Sequence, residues 1–191
     1  TSSSFELAAK RLSADTMTLR AAGSSVDKGE SLKDTTLTLS AYDPDVIVIR
    51  HPQIGAPQLV ARCTGASVVN AGDGKHQHPT KALLDLYTIE ESFGRLEGLH
   101  VAIVGDILHS RVARSLVQAL TLVGARSTLV APPTLLPRGI EALGCETSTD
   151  IGAIAAADVV YVLRMQQERM EAGEAFVPSL REYTARWGIT P

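Results

Sequence analysis

Two doubly wound α/β domains, each built on a parallel sheet, are the fold class this chain predicts, and three observations carry the prediction. Short β-branched runs alternate with helical patterns along the 191 residues, the order that builds βαβ units. The alternation breaks at GRLEGLH (94 to 100) and then resumes with a fresh strand, which puts a hinge near residues 94 to 98. Hydrophobic residues make up 45% of the chain, enough for a core in each half.

The elements follow in order. Phe5, Leu7, Ala8, Ala9 and Leu12 keep helical spacing, with Ser2 to Ser4 as N-cap candidates, so a helix is expected over about 3 to 13. TMTLR (16 to 20) reads as a short strand, and the Gly/Ser-rich AAGSSVDKGES (21 to 31) as a loop feeding a second helix through about Ala41. DVIVIR (45 to 50) is dense enough in β-branched residues for a strand buried on both faces. Helical PQLVARC (57 to 63), strand ASVVNAG (66 to 72) and a helix over 79 to 93 complete the first half. The second half offers strand VAIVGD (101 to 106), a helix over 111 to 124, strand RSTLVAPP (126 to 133) and a further αβ turn ending in ADVVYVLR (157 to 164). The chain opens on TSSSFELAAKRL, already at a helix cap, and stops at WGITP straight after a helical pattern, so it reads as an interior piece of a longer protein.

Composition excludes several functions. With 18 Lys+Arg against 21 Asp+Glu the formal charge is -3, which removes the broad basic surface of a nucleic-acid binder. No apolar run approaches the roughly 18 residues of a membrane span, and the N-terminus has no signal-peptide pattern. Cys63 and Cys145 lack a CxxC or a nearby Cys/His pattern and read as reduced packing residues of a cytosolic protein. VGDILHS lacks the GxGxxG spacing of a dinucleotide fold, and no Walker A lysine motif is present, so no cofactor is expected.

Parallel sheets bind ligands beyond the carboxyl ends of their strands. Those ends carry Arg50-His51-Pro52, Asn70 to His78, Gly105 to Arg111 and Arg164-Met165-Gln166. Arg50, Arg111 and Arg164 are suited to clamp two anionic ligands, one per domain, each desolvated contact contributing about 1.5 to 3 kcal/mol. His76 and His78 form an H-x-H pair, but a metal needs further ligands, for which only Asp73, His51 and His109 offer themselves. No metal is therefore expected. His76 reads as a loop residue. His78 precedes Pro79 at a helix start, where unpaired N–H groups and the positive dipole end favour a neutral imidazole donating to a carbonyl oxygen.

The ordered series TSSSFE (1 to 6), SSVDKGESLKDT (24 to 35), VIRHPQ (48 to 53), NAGDGKHQHPT (70 to 80), VGDILHSRVARS (104 to 115) and YVLRMQQER (161 to 169) resembles the aspartate carbamoyltransferase catalytic chain, within the aspartate/ornithine superfamily. The resemblance covers essentially the whole sequence. It implies a carbamoyl-phosphate domain (1 to 94) lacking its N-terminal part and an aspartate domain (95 to 191) lacking its C-terminal part. It also implies a cytoplasmic homotrimer with active sites shared between subunits, and leaves room for regulatory or other pyrimidine-pathway subunits.

The implied reaction transfers the carbamoyl group of carbamoyl phosphate to the α-amine of L-aspartate, in de novo pyrimidine synthesis. By resemblance, Thr1 ends a phosphate loop at a helix N-terminus, a ready anion site. Arg50 contacts phosphate and carbonyl oxygen, and His78 donates to the carbamoyl oxygen. Ser25 and Lys28 reach a neighbouring subunit's site, where Lys28 also meets aspartate, and Arg111, Arg164 and Gln166 hold the aspartate carboxylates and orient its amine. Lys81 departs from the family, which carries a glutamine there. Lysine has no acceptor for a carbamoyl NH2, so it either contacts phosphate, which places it in the carbamoyl-phosphate set, or weakens carbamoyl recognition. The STR before Thr1 and the later HPxP loop are missing, so the 191-residue span alone is expected to be inactive. Another transcarbamoylase of the same fold and a non-catalytic homologue are the alternatives.

Overall fold

A computed structural model describes residues 1 to 19, 30 to 165 and 179 to 189. The architecture is α/β with parallel sheets, in two compact units that divide between Gly74 and Lys75. The sequence places its domain division twenty residues later, after the long helix that follows His78. In the structure that helix packs along the next one, and packing assigns it to the second unit.

In the first unit, α1 (Ser2–Arg11) starts at Thr1, so Ser2 to Ser4 lie inside the helix rather than capping it. Thr16 to Leu19 form no strand: an isolated extended segment has no ladder to join, and Met17 and Leu19 stay exposed. Ser31 caps α2 (Leu32–Ser40) by accepting from the Asp34 N–H. β1 (Val46–His51) pairs in parallel with β2 (Ser67–Asp73), and α3 (Ala56–Cys63) connects them. α3 packs on both strands and α2 packs on α3. The expectation of a strand buried on both faces fails for β1: Val46 and Val48 are 53% and 43% exposed. With only β2 beside it among the described residues, β1 alternates exposed and half-buried positions instead.

The second unit has a developed core. It opens with α4 (Pro79–Phe93), which ends at Gly94 in the left-handed conformation favoured just beyond a helix. A four-stranded sheet follows, with β3 (His100–Val104), β4 (Arg126–Val130), β5 (Glu146–Ser148) and β6 (Val159–Val162). The strand order β5-β4-β3-β6 is parallel throughout. β3 and α5 (Arg111–Leu122) supply much of the core, with Val101, Ile103, Leu116, Val117 and Leu120 inaccessible to solvent. The αβ turn expected after β4 is instead a run of 3-10 turns at Pro133–Leu135, Ile140–Leu143 and Ile151–Ala156. Pro132, Pro133, Pro137, Gly139 and Gly144 interrupt any α-helical run there. The last described element is α6 (Leu180–Trp187).

Cys145 is buried, donating to the Ile140 carbonyl, and Cys63 is half-buried; both are free thiols. No described helix is long and apolar enough to cross a membrane.

Candidate active site

At the carboxyl edge of the two-stranded sheet the loops after β1 and β2 are stitched together. The β1/β2 register slips between Ile49 and His51, so β2 carries an extra residue opposite Arg50. Such a bulge re-aims the strand end. Gly72, at φ 120, makes it feasible, and its N–H donates to Asn70 Oδ1. The Asp73 carboxylate, fully buried, accepts from the Gly55 N–H at 3.2 Å and from Asn70 Nδ2 at 3.3 Å. Gly74 donates to the His51 carbonyl, and a Cβ at Gly74 would sit 2.6 Å from the Pro52 oxygen. The result is a rigid base under Arg50, whose guanidinium donates to Thr1 Oγ1 at 2.6 Å. Thr1 is the N-cap of α1, and its hydroxyl makes no cap hydrogen bond. The structure thus joins two residues 49 apart in sequence at a helix N-terminus, where anions are favoured.

His78 is the N-cap of α4 with Pro79 behind it, as the sequence predicts. Its N–H donates to Ser115 Oγ of α5 at 2.8 Å, and Nδ1 lies 3.3 Å from Thr80 Oγ1. Gln77 Nε2 donates to Gln118 Oε1, a second tie between this loop and α5. The Nδ1–Thr80 contact suits either direction of donation, according to the tautomer of the ring. His76 lies in the preceding turn. Among the described residues no group of three or more His, Cys, Asp or Glu is arranged to hold a metal ion.

Lys81 is engaged. Its ammonium forms an ion pair with Asp85, one helical turn on, and lies 5.6 Å from the Tyr161 ring centroid. Tyr161 on β6 donates its hydroxyl to the other Asp85 oxygen at 3.0 Å. Burial pulls the Lys81 pKa down, but the Asp85 and Tyr161 interactions outweigh it and hold the ammonium above its ordinary value. Burial, with the Asp85 charge beside it, pushes the Tyr161 phenol up.

The two second-half arginines flank the point where the sheet changes direction. From β3 the chain steps outward to β4 and β5, then returns to β6 on the other side of β3. Such a reversal opens a crevice at the carboxyl ends of the two central strands. Val104 pairs with Val162 at that edge, so Arg111, opening α5 after β3, and Arg164, two residues past β6, leave from neighbouring strand ends. Ser110 caps α5, and Arg111 is 7% exposed while Arg164 is exposed. A Cβ on Gly105, at φ 125, would run into the Leu163 carbonyl oxygen, so only glycine permits this approach of β6 to the loop after β3. Ser25, Lys28 and Gln166 lie outside the described residues.

Sequence reasoning missed Asp85 with Tyr161 and gave Asp106 no role; Asp73 and His109, weighed there only as metal ligands, are instead a buried fastener of loops and a buried partner whose Nδ1 sits 2.8 Å from Asp106 Oδ1. Asp106 directly follows a strand in VGD, a position that strand-end reasoning reaches; the Asp85–Tyr161 contact spans 76 residues and leaves no local signal.

Known proteins resemble the chain in both sequence and fold. Residues 1–91 match the family model for the aspartate/ornithine carbamoyltransferase carbamoyl-P binding domain. Over 190 residues the chain is 58% identical to the aspartate carbamoyltransferase catalytic subunit of Parafrankia sp., covering 99% of itself and 61% of that relative. The corresponding subunit from Beijerinckia indica is 56% identical, with 99% and 59% covered. The chain therefore spans about 60% of the length of these relatives. Among solved structures, aspartate transcarbamoylase from Trypanosoma cruzi in complex with carbamoyl phosphate superposes with a TM-score of 0.85 at 32% identity, covering 99% of this chain and 62% of that one. The catalytic subunit of M. jannaschii aspartate transcarbamoylase gives 0.78 at 40% identity, with 96% and 60% covered. With its parallel sheets and this likeness along nearly all of its length, the chain is similar to aspartate carbamoyltransferase catalytic subunits, and its first 91 residues match the carbamoyl-P binding domain of the aspartate/ornithine carbamoyltransferases.

Proposed function

We propose that the protein carrying this sequence transfers the carbamoyl group of carbamoyl phosphate to the α-amine of L-aspartate, releasing phosphate and N-carbamoyl-L-aspartate for pyrimidine synthesis. The observation that carries the reading is the placement of Arg111 and Arg164 on either side of the β3/β6 switch point, a crevice suited to a dicarboxylate. The aspartate complexes among the solved relatives support it.

In this reading Thr1 and Arg50 take the phosphate. Arg50 and His78 donate to the carbamoyl oxygen, which becomes an oxyanion when the amine attacks the carbamoyl carbon. The C–N bond forms, the C–O bond to phosphate breaks, and the amine's proton leaves to the phosphate dianion or a lysine. The arginine clamp contributes through orientation, a source of large effective molarity. Gln166 joins it at the aspartate, and Ser25 and Lys28 extend into a neighbouring subunit of a cytoplasmic homotrimer. Residues 1 to 94 form the carbamoyl-phosphate side of the division of labour and 95 to 191 the aspartate side. Lys81, whose ammonium is already paired with Asp85, is left out of the direct phosphate contacts.

The test, on the full-length protein that carries this sequence, is calorimetric titration with N-(phosphonacetyl)-L-aspartate, combined with a colorimetric assay for carbamoyl aspartate. Tight binding and turnover with aspartate are expected, with His78→Ala about 100-fold slower, as for other lost oxyanion donors. Turnover with ornithine instead of aspartate, or no binding of the phosphonate, overturns the reading.

A further inference from the structure

Asp85 is a carboxylate with 8% exposure inside an amphipathic helix, where an uncompensated charge is costly. It meets Lys81 on one oxygen and the Tyr161 hydroxyl on the other, while the same ammonium lies over the Tyr161 ring. The three side chains therefore form a closed set in which each touches the other two. A glutamine at position 81 offers only a neutral amide and leaves the carboxylate without a counter-charge.

The set links two pieces of the proposed site. Lys81 stands in the first turn of α4, its N–H donating to the carbonyl of the N-cap His78 at 3.1 Å. Tyr161 lies within β6, paired with Ile103. Just beyond it, the Leu163 N–H donates to the Val104 carbonyl at 2.7 Å, and Arg164 follows directly. The residues entering α4 are tied to α5 through Ser115 and Gln118, and Asp85 and Lys81 of α4 itself reach Tyr161 in the sheet.

We propose that Lys81 is a positioning residue for aspartate: through Asp85 and Tyr161 it fixes strand β6, and so Arg164, relative to the helix that begins at His78. This rests on the carbamoyl-transfer reading above.

Steady-state kinetics of Lys81→Met, Tyr161→Phe and the double variant, each made in the full-length protein that carries this sequence, test it. Each single variant raises KM for aspartate about five- to tenfold, and the double stays within about twofold of the worse single because both break one network. KM for carbamoyl phosphate stays within about twofold in all three, and Lys81→Arg, which keeps the charge on Asp85, restores aspartate KM. If Lys81→Met does not fold, Tyr161→Phe, which keeps the ion pair, decides the question through the same KM contrast. A rise confined to carbamoyl phosphate KM in Lys81→Met, with Tyr161→Phe unaffected, places the lysine on the phosphate and overturns the proposal. So does a lowered melting temperature with unchanged kinetics. Absence of transfer in the unmodified protein removes the underlying reading, whereas normal transfer with unaltered variants removes only this inference.

Discussion

Val46 and Val48 of β1 are 53% and 43% exposed, whereas Val101 and Ile103 of β3 are fully buried, although all four sit in apolar parallel strands. Local sequence does not separate them. β3 has a neighbour on each side and buries every residue after His100, while β1 has β2 alone among the described residues. The first unit buries small groups such as Ala56, Val60 and Ala71, and the second buries a continuous cluster running from Leu86 to Leu163. Parallel strands rely on covered faces, so strand count decides how far a βα alternation becomes a core. The same contrast holds for polar groups: the first unit uses Asp73 to fasten loops, and the second uses Asp85 and Asp106 within packed side chains.

Glycine replacement breaks the comparison most forcefully. Gly105→Ala meets the Leu163 carbonyl at a φ of 125, so a backbone penalty of about 1–3 kcal/mol adds to about 1–3 kcal/mol of overpacking. Gly55→Ala, at φ 82 with nothing within 4 Å, costs only about 1–2 kcal/mol. Urea unfolding of the two variants measures the gap, and equal losses would show that the Leu163 backbone does not close on position 105.

Core truncation follows. Leu116→Ala, at 0% exposure, is expected to lose about 2–5 kcal/mol, against less than about 0.5 kcal/mol for Val48→Ala on the exposed face of β1. A comparable loss at Val48 would show that the β1 face is covered in the folded protein in solution.

The smallest effect is alkaline. Burial pushes the Cys145 thiol up, with Glu141 adding to it, and burial with nearby carboxylates raises the Tyr161 and Tyr183 phenols; the Asp85 pair raises Lys81 against its burial. Each folded value lies above the unfolded one, so the unfolded chain releases its proton first. Stability is full below the ordinary values of 9.0 for cysteine, 10.0 for tyrosine and 10.5 for lysine, and falls as pH rises from there through the folded values. All four groups belong to the second unit. Denaturation midpoints between pH 8 and 11 are expected to drop from about pH 9 upward, less steeply in Tyr161→Phe. A flat profile would contradict the burial of these groups.

Much of this was legible in the chain. β-branched runs located β1, β2, β3, β4 and β6, because a residue that packs on a pleated surface announces itself locally. The starts of α2, α4 and α5 were readable to within a residue or two, and the structure adds the Ser31 and Ser110 caps that sequence reasoning had not named. Thr16 to Leu19 misled because alternation alone does not supply a partner strand, and the segment after β4 misled because its prolines and glycines outweigh its apolar spacing. Arg50, His78, Arg111 and Arg164 were singled out as candidates by their position at strand and helix ends, a position the structure also gives them. Lys81 was noticed as an unusual residue, but its partner Tyr161 lies 80 positions away.

Residue order by itself set the alternation of strands and helices, the parallel class of the sheets and the side chains presented at their carboxyl edges, since these depend on neighbours within a turn or two. Tertiary structure alone decided that β6 returns beside β3, that α4 packs with the second unit, that Thr1 meets Arg50 and that Lys81 is paired with Asp85 beneath Tyr161. Those choices depend on which distant surfaces bury one another, and the free energy of burial acts through space without regard to separation along the chain.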